Sequence, residues 1–183
     1  MGKMLKIFVL FVLLTISIAN AQDTYYDTFS SVSYSNNDGT QNWSTNWIES
    51  GDDNSPSGGY IRITGNQLRF AYIWTETIRR SADLSAYSSA TLSFDWQTSS
   101  LESGETLDVQ VSSDGSSYTT LATFSGNQSG TFSQNISAHI SSNTTIRFIK
   151  GGNNWSGNND RVFIDNVLIT ATAVASVRVE DIS

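Results

Sequence analysis

The sequence predicts an all-β fold, an antiparallel two-sheet β-sandwich of jelly-roll type, on three observations. Short runs of alternating apolar and polar residues recur at hairpin spacing. Gly-, Asn- and Ser-rich turn signals separate them, and no stretch carries the 3.6-residue period of an amphipathic helix. The 183 residues suffice for one domain with a sizeable core. An up-and-down barrel is the alternative, and long connections that are not hairpins favour strands crossing between two sheets.

In chain order, residues 1–21 read as a signal peptide. Lys3 and Lys6 precede an apolar run over 7–14, and Ala19-Asn20-Ala21 supplies the small-x-small cleavage pattern, so the mature chain is expected to begin at Gln22. That run is shorter than the roughly 20 residues of a membrane span, and no later stretch is apolar enough for one. The expected location is therefore secreted or at the cell surface.

The sandwich is expected over residues 22–172. A loosely alternating first strand covers 25–34, and Asn36-Asn37-Asp38-Gly39 turns the chain. Residues 49–59 form an acidic, Gly-rich loop too polar for a core. Residues 60–63 and 67–74 are strands joined by a tight turn at Gly65-Asn66, with Leu68, Phe70, Tyr72 and Trp74 on one face. A strand over 77–80 follows, and 83–89 is too short and Ser-rich for a helix. Alternation is clearest next: Leu92, Phe94 and Trp96 face inward in 90–97, as do Leu107, Val109 and Val111 in 105–113. Three more strands cover 118–124, 130–136 and 144–150, and a Gly- and Asn-rich loop over 151–160 leads to the last strand. The only histidine, His139, sits in a Ser-rich corner at 136–144 that echoes the one at 84–92. Residues 173–183 read as a linker or the start of a further module.

The last strand, 161–169, places a carboxylate in the most apolar run of the mature chain. Strict alternation puts Phe163, Asp165, Val167 and Ile169 on one face and Val162, Ile164, Asn166 and Leu168 on the other. Both faces are then mostly covered, and a carboxylate there costs several kcal/mol unless it is compensated.

Composition narrows the partners. With no cysteine, no disulfide holds the fold, and the formal charge of −7 comes without a basic stripe, which argues against nucleic acid. One histidine and no cysteine exclude the usual transition-metal sites. Recurring aromatic and β-branched residues argue against disorder.

Asp27-Thr28-Phe29, Gly51-Asp52, the run from Arg80 to Ser85, Ala90-Thr91-Leu92-Ser93-Phe94-Asp95, the run from Val109 to Gly115, and Phe163-Ile164-Asp165-Asn166-Val167 together resemble the MAM-like jelly-roll modules of secreted, Bacteroidetes-type bacterial surface proteins. These belong with the broader concanavalin-like and carbohydrate-binding sandwiches. The resemblance spans roughly residues 23–172 and implies a non-catalytic module of an adhesin or secreted enzyme, often with a structural calcium. The disulfide cysteines of animal MAM domains are absent here.

Calcium takes several oxygen ligands at once, and Asp165 with Asp27 and one or more of Asp52, Asp38 and Asp53 is the expected set, Asp52 first among the three. The competing reading satisfies Asp165 with backbone donors or Arg80. A glycan site is expected on a polar patch formed by Asp95, Gln97, Asp108, Gln110 and Arg147, if the strands near 93 and 108 are neighbours. Trp43, Trp47, Trp74 and Trp155 are the available aromatic platforms, Trp74 and Trp155 the chosen candidates and Trp155 the most exposed, while Trp96 belongs to the core. No Gly-x-Ser-x-Gly elbow accompanies His139, and neither Asp95 nor Asp108 has an apolar neighbour on its own face, so no enzyme is expected. The sequence therefore predicts a secreted, non-catalytic binding or adhesion module for glycan, steadied by calcium. A structural spacer is the alternative, and a glycan-active sandwich enzyme comes third.

Overall fold

The computed structural model describes residues 22–173, so the expected signal peptide and residues 174–183 lie outside the described residues. Eleven strands and one short 3-10 turn, Ser137–His139, build two antiparallel sheets. The strands are β1 (Gln22–Asp27), β2 (Ile48–Ser50), β3 (Ile61–Thr64), β4 (Gln67–Ala71), β5 (Thr77–Ala82), β6 (Tyr87–Ser99), β7 (Glu105–Ser112), β8 (Thr119–Ser125), β9 (Ser129–Asn135), β10 (Thr144–Gly152) and β11 (Arg161–Ala173). The six-stranded sheet runs β3-β4-β11-β6-β9 with β1 also on β11, and the five-stranded sheet runs β2-β5-β10-β7-β8. Among the described residues no helix is long and apolar enough to cross a membrane.

Alternation places the core between the sheets. Leu68, Phe70, Leu92, Phe94, Val162 and Ile164 from one sheet meet Ile78, Leu107, Val109, Ile146 and Phe148 from the other, all fully or almost fully buried. Phe148 is central, with ring centroids 5.2 Å from Phe94, 6.0 Å from Phe70 and 6.1 Å from Trp47. The hairpin between β3 and β4 turns at Gly65 and Asn66, both at positive φ, as a tight two-residue connection requires.

Three expected boundaries shift. The first strand ends at Asp27 rather than near Tyr34, because the Asp27 carboxylate accepts the Phe29 N–H at 2.8 Å and Phe29 turns to φ 49°. The strand after Gln67 ends at Ala71, because Tyr72 adopts φ 57°. Leu68 and Phe70 are therefore buried while Trp74 is half exposed, so these residues do not share one face.

The third shift reverses the reading of Asp165. A β-bulge lies in β11, where Asp165 pairs with Asp95 but Leu168 pairs with Ser93, and Asn166 takes φ 53°. The extra residue changes the phase of the strand. Val162 and Ile164 point inward before it and Val167, Ile169 and Ala171 after it, leaving Phe163 and Asp165 on the outer face.

Candidate functional site

Register assigns each residue on the outer face of the six-stranded sheet a position. One row across the strands holds Tyr60, Ala71, Arg161 and Ser99. The next holds Arg62, Arg69, Phe163, Gln97 and Ser129, and a third brings Asp165, Asp95 and Thr131 together. Strands about 4.8 Å apart set Tyr60 and Arg161 roughly 10 Å from each other across this face.

At the edge of the face stands an aromatic row. Tyr60 and Trp74 are 46% and 52% exposed, and the half-buried Tyr72 lies between them, with centroids 6.5 Å from Tyr60 and 6.0 Å from Trp74. The positive φ of Tyr72 directs this turn, and the Ala71 N–H donates to the Tyr60 carbonyl at 2.9 Å.

Beside the row lie three arginines. Hairpin register sets Arg62 directly opposite Arg69, and Arg161 is one row along. Like charges opposite one another on a sheet oppose folding. Burial, followed by the fields of Arg62 and Arg161, lowers the Arg69 guanidinium below its ordinary pKa, and its buried Nε has no hydrogen-bond partner. The only salt bridge among the described residues is Arg80 to Asp27, elsewhere in the molecule; Arg161 donates to the Asp160 carbonyl at 2.7 Å and lies in the field of the Asp160 carboxylate, while Arg62 and Arg69 stand outside any salt bridge.

A shallow groove of about 390 Å³ adjoins them, lined by Gln67, Asp95, Gln97, Thr131, Phe163 and Asp165 among others. Asp95 is fully engaged: Thr131 Oγ1 donates to it at 2.6 Å and Asn166 Nδ2 at 2.9 Å, and these donors hold its carboxyl below the ordinary range. Asp165 accepts only the Asn166 N–H, at 2.7 Å. Burial raises its pKa, and Asp95 and Asp27 add to the rise. The groove thus offers a free carboxylate oxygen, two amide side chains and the Phe163 ring.

The expected single polar patch divides in two. β6 and β7 are consecutive in sequence but belong to different sheets, so Asp95 and Gln97 lie on one outer face while Asp108, Gln110 and Arg147 lie on the other. There Arg147 stacks 3.6 Å over the Tyr118 ring and donates to Gln110 Oε1 through Nε at 3.0 Å and Nη2 at 2.5 Å, while Thr123 donates to Asp108 at 2.8 Å. Trp155 requires a second correction. Although flanked by Asn and Ser, it is fully buried, and its Nε1 donates to the Thr106 carbonyl at 3.2 Å.

Asp27, Asp52 and Asp165 are not brought together. Asp27 is fully buried between the sheets, where Arg80 Nη1 donates to it at 2.6 Å, Trp47 Nε1 at 2.9 Å and the Phe29 N–H at 2.8 Å. Burial still raises its pKa despite these donors, and burial lowers that of Arg80 to about 10. Arg80 also donates to the Thr45 and Asn36 carbonyls and lies over Trp43. Asp52 instead neighbours Glu49 and Asp53, and its carboxylate accepts the N–H groups of Tyr60 and Ile61 at 2.7 Å. Tyr34 donates its hydroxyl to the buried Glu49, whose pKa burial pushes up to about 6.

A second carboxylate group, Glu102, Glu105 and Asp160, leaves no local signature in the sequence, because Glu102 and Glu105 flank the start of β7 and Asp160 lies in the distant loop before β11. By contrast, the Arg62 and Arg69 pairing was readable there, since a two-residue turn at Gly65-Asn66 dictates it.

No protein-family model matches the sequence, and no curated protein sequence matches it. Among solved structures, a mutant of a family 29 carbohydrate-binding module matches with a TM-score of 0.50 at 13% identity, over 83% of this chain and 93% of that one. A second family 29 module structure, complexed with cellulohexaose, gives 0.48 at 14% identity over 81% and 92%. A family 61 module with β-1,4-galactotriose gives 0.46 at 15% identity over 67% and 86%. At these identities the likeness is one of fold, the two-sheet antiparallel sandwich.

Proposed function

We propose that this chain is a secreted, non-catalytic carbohydrate-binding module, and that the outer face of its six-stranded sheet takes an acidic glycan. The observation that carries the reading is the adjacency of the row Tyr60-Tyr72-Trp74 and the group Arg62, Arg69 and Arg161, none of which forms a salt bridge. Sugar rings stack on exposed aromatic faces, and guanidinium groups hold carboxylate or sulfate through paired hydrogen bonds. Like charges gathered as Arg62 and Arg69 are, directly opposite each other, oppose folding, and an anionic ligand offsets that cost. Asp165, Gln67 and Gln97 line the adjacent groove as hydroxyl partners. The fold shared with a family 29 carbohydrate-binding module supports a binding role, and the apolar leader supports export.

Affinity electrophoresis through gels containing polygalacturonate, a sulfated galactan or a neutral glucan tests this reading. Retardation by an acidic polymer, relieved by salt and lost in Trp74→Ala, is expected. Retardation by the neutral polymer alone would remove the role given to the arginines. Free migration in all three would leave the spacer reading.

A further inference from the structure

The connection from β6 to β7 and the connection from β10 to β11 cross between the sheets at the same end of the sandwich, and they touch: the Asn153 N–H donates to the Gly104 carbonyl at 2.7 Å. Where they meet, carboxylate oxygens of Glu102, Glu105 and Asp160 lie within 4.8 Å of one another. Glu102 is exposed, whereas Glu105 is 3% exposed and Asp160 fully buried.

Three of the six carboxylate oxygens are anchored by neighbouring donors. Glu105 Oε1 accepts the N–H of Ser156 at 2.7 Å and its hydroxyl at 3.1 Å, and Oε2 accepts the Glu102 N–H at 2.9 Å. Asp160 Oδ2 accepts the Gly157 N–H at 2.6 Å. Asp160 Oδ1 is buried with no hydrogen-bond partner at all, the only buried carboxylate oxygen so placed among the described residues. Burying such an oxygen in charged form next to two further carboxylates is strongly unfavourable, and a proton or a cation must offset it.

We infer that Glu102, Glu105 and Asp160 form a divalent-cation site, with calcium as the fitting ion. All donors are hard oxygens, with no His or Cys in the group. A calcium shell, with oxygens at about 2.3–2.6 Å, places opposed ligands about 5 Å apart, the scale of this cluster. The ion ties the two crossovers together above the buried Trp155. It also braces Asp160, whose carbonyl accepts a 2.7 Å hydrogen bond from Arg161 Nη1 at the start of β11. This site does not rest on the glycan reading, although Arg161 borders both, and it differs from the Asp27, Asp52 and Asp165 set expected from sequence.

The test uses the chelator-treated protein, calcium chloride and terbium chloride. Millimolar calcium is expected to raise the melting temperature by several degrees, and terbium to show emission sensitised by the adjacent Trp155 that calcium competes away. Glu102→Gln, at an exposed position, is expected to fold normally and bind calcium about tenfold more weakly. Asp160→Asn is expected to abolish both responses. No thermal shift and no sensitised emission in the parent protein would overturn the site. So would responses that survive both substitutions, or that disappear instead in Asp52→Asn at the other carboxylate group.

Discussion

The two outer faces of the sandwich are equally polar in sequence but differ in how their polar groups are spent. On the five-stranded sheet Arg147 is stacked on Tyr118 and bonded to Gln110, Gln110 donates to Thr120, and Asp108 accepts from Thr123. Those groups are bonded to one another, although Arg79 stands directly opposite Arg147 outside any salt bridge. On the six-stranded sheet Arg62, Arg69 and Arg161 stand together outside any salt bridge, and Tyr60 and Trp74 leave about half of their surface in water. A polar face becomes a candidate binding surface through what it leaves unpaired, and neighbouring strands decide that.

The largest effect is expected where both faces share their support. Arg80→Ala leaves the Asp27 carboxylate buried without its counter-charge, and truncating one partner of such a pair costs about 3–5 kcal/mol. Chemical denaturation is expected to show that loss, with ligand binding and folding failing together. If the variant kept its stability, the frame common to the two faces would need another explanation.

Next come the substitutions that separate the faces. Trp74→Ala or Tyr60→Ala is expected to weaken acidic-glycan binding by roughly 10- to 100-fold, the range of a truncated aromatic anchor, without lowering the melting temperature. Arg69→Gln is expected to cost about tenfold toward an acidic ligand, to flatten the salt dependence, and to leave any binding of neutral glycan unchanged. Tyr118→Ala and Arg147→Ala, on the opposite face, should change stability by about 1 kcal/mol or less and binding not at all. Loss of binding in those two variants would reverse the comparison.

The smallest effect concerns Asp165 and depends on pH. Burial raises its folded pKa above the ordinary carboxylate value, so its stabilising contribution is present at acid pH and disappears as pH rises through the folded pKa. Asp165→Asn is therefore expected to be slightly more stable than the parent at pH 7, the difference closing below about pH 4. Thermal melts across that range measure it. Marked destabilisation at neutral pH would mean that the charged carboxylate holds something the structure does not contain.

Much of this architecture was legible from alternation, because a period of two tells which side of a strand meets the core. It does not tell which sheet a strand joins. Asp95 and Asp108 show identical patterns, yet β6 and β7 pair in different sheets, and the expected patch fell apart for that reason. Asp165 was misplaced by a single bulge. An Asn at positive φ shifts the phase without disturbing the apolar count, and the one trace in the sequence is the Asp-Asn pair inside an apolar run. Trp155 misled through its neighbours: the loop is polar outside because its one large side chain is folded beneath it. The carboxylates of Glu102, Glu105 and Asp160 meet only through tertiary structure, and no local pattern links them.

The location of the binding face is the central claim, and an amide NMR titration of the protein with an acidic oligosaccharide tests it most directly. Shifts concentrated at Tyr60, Arg62, Arg69, Tyr72, Trp74, Arg161 and Phe163 are the predicted result. Shifts concentrated at Asp108, Gln110, Tyr118 and Arg147, or no shifts at millimolar ligand, would contradict it.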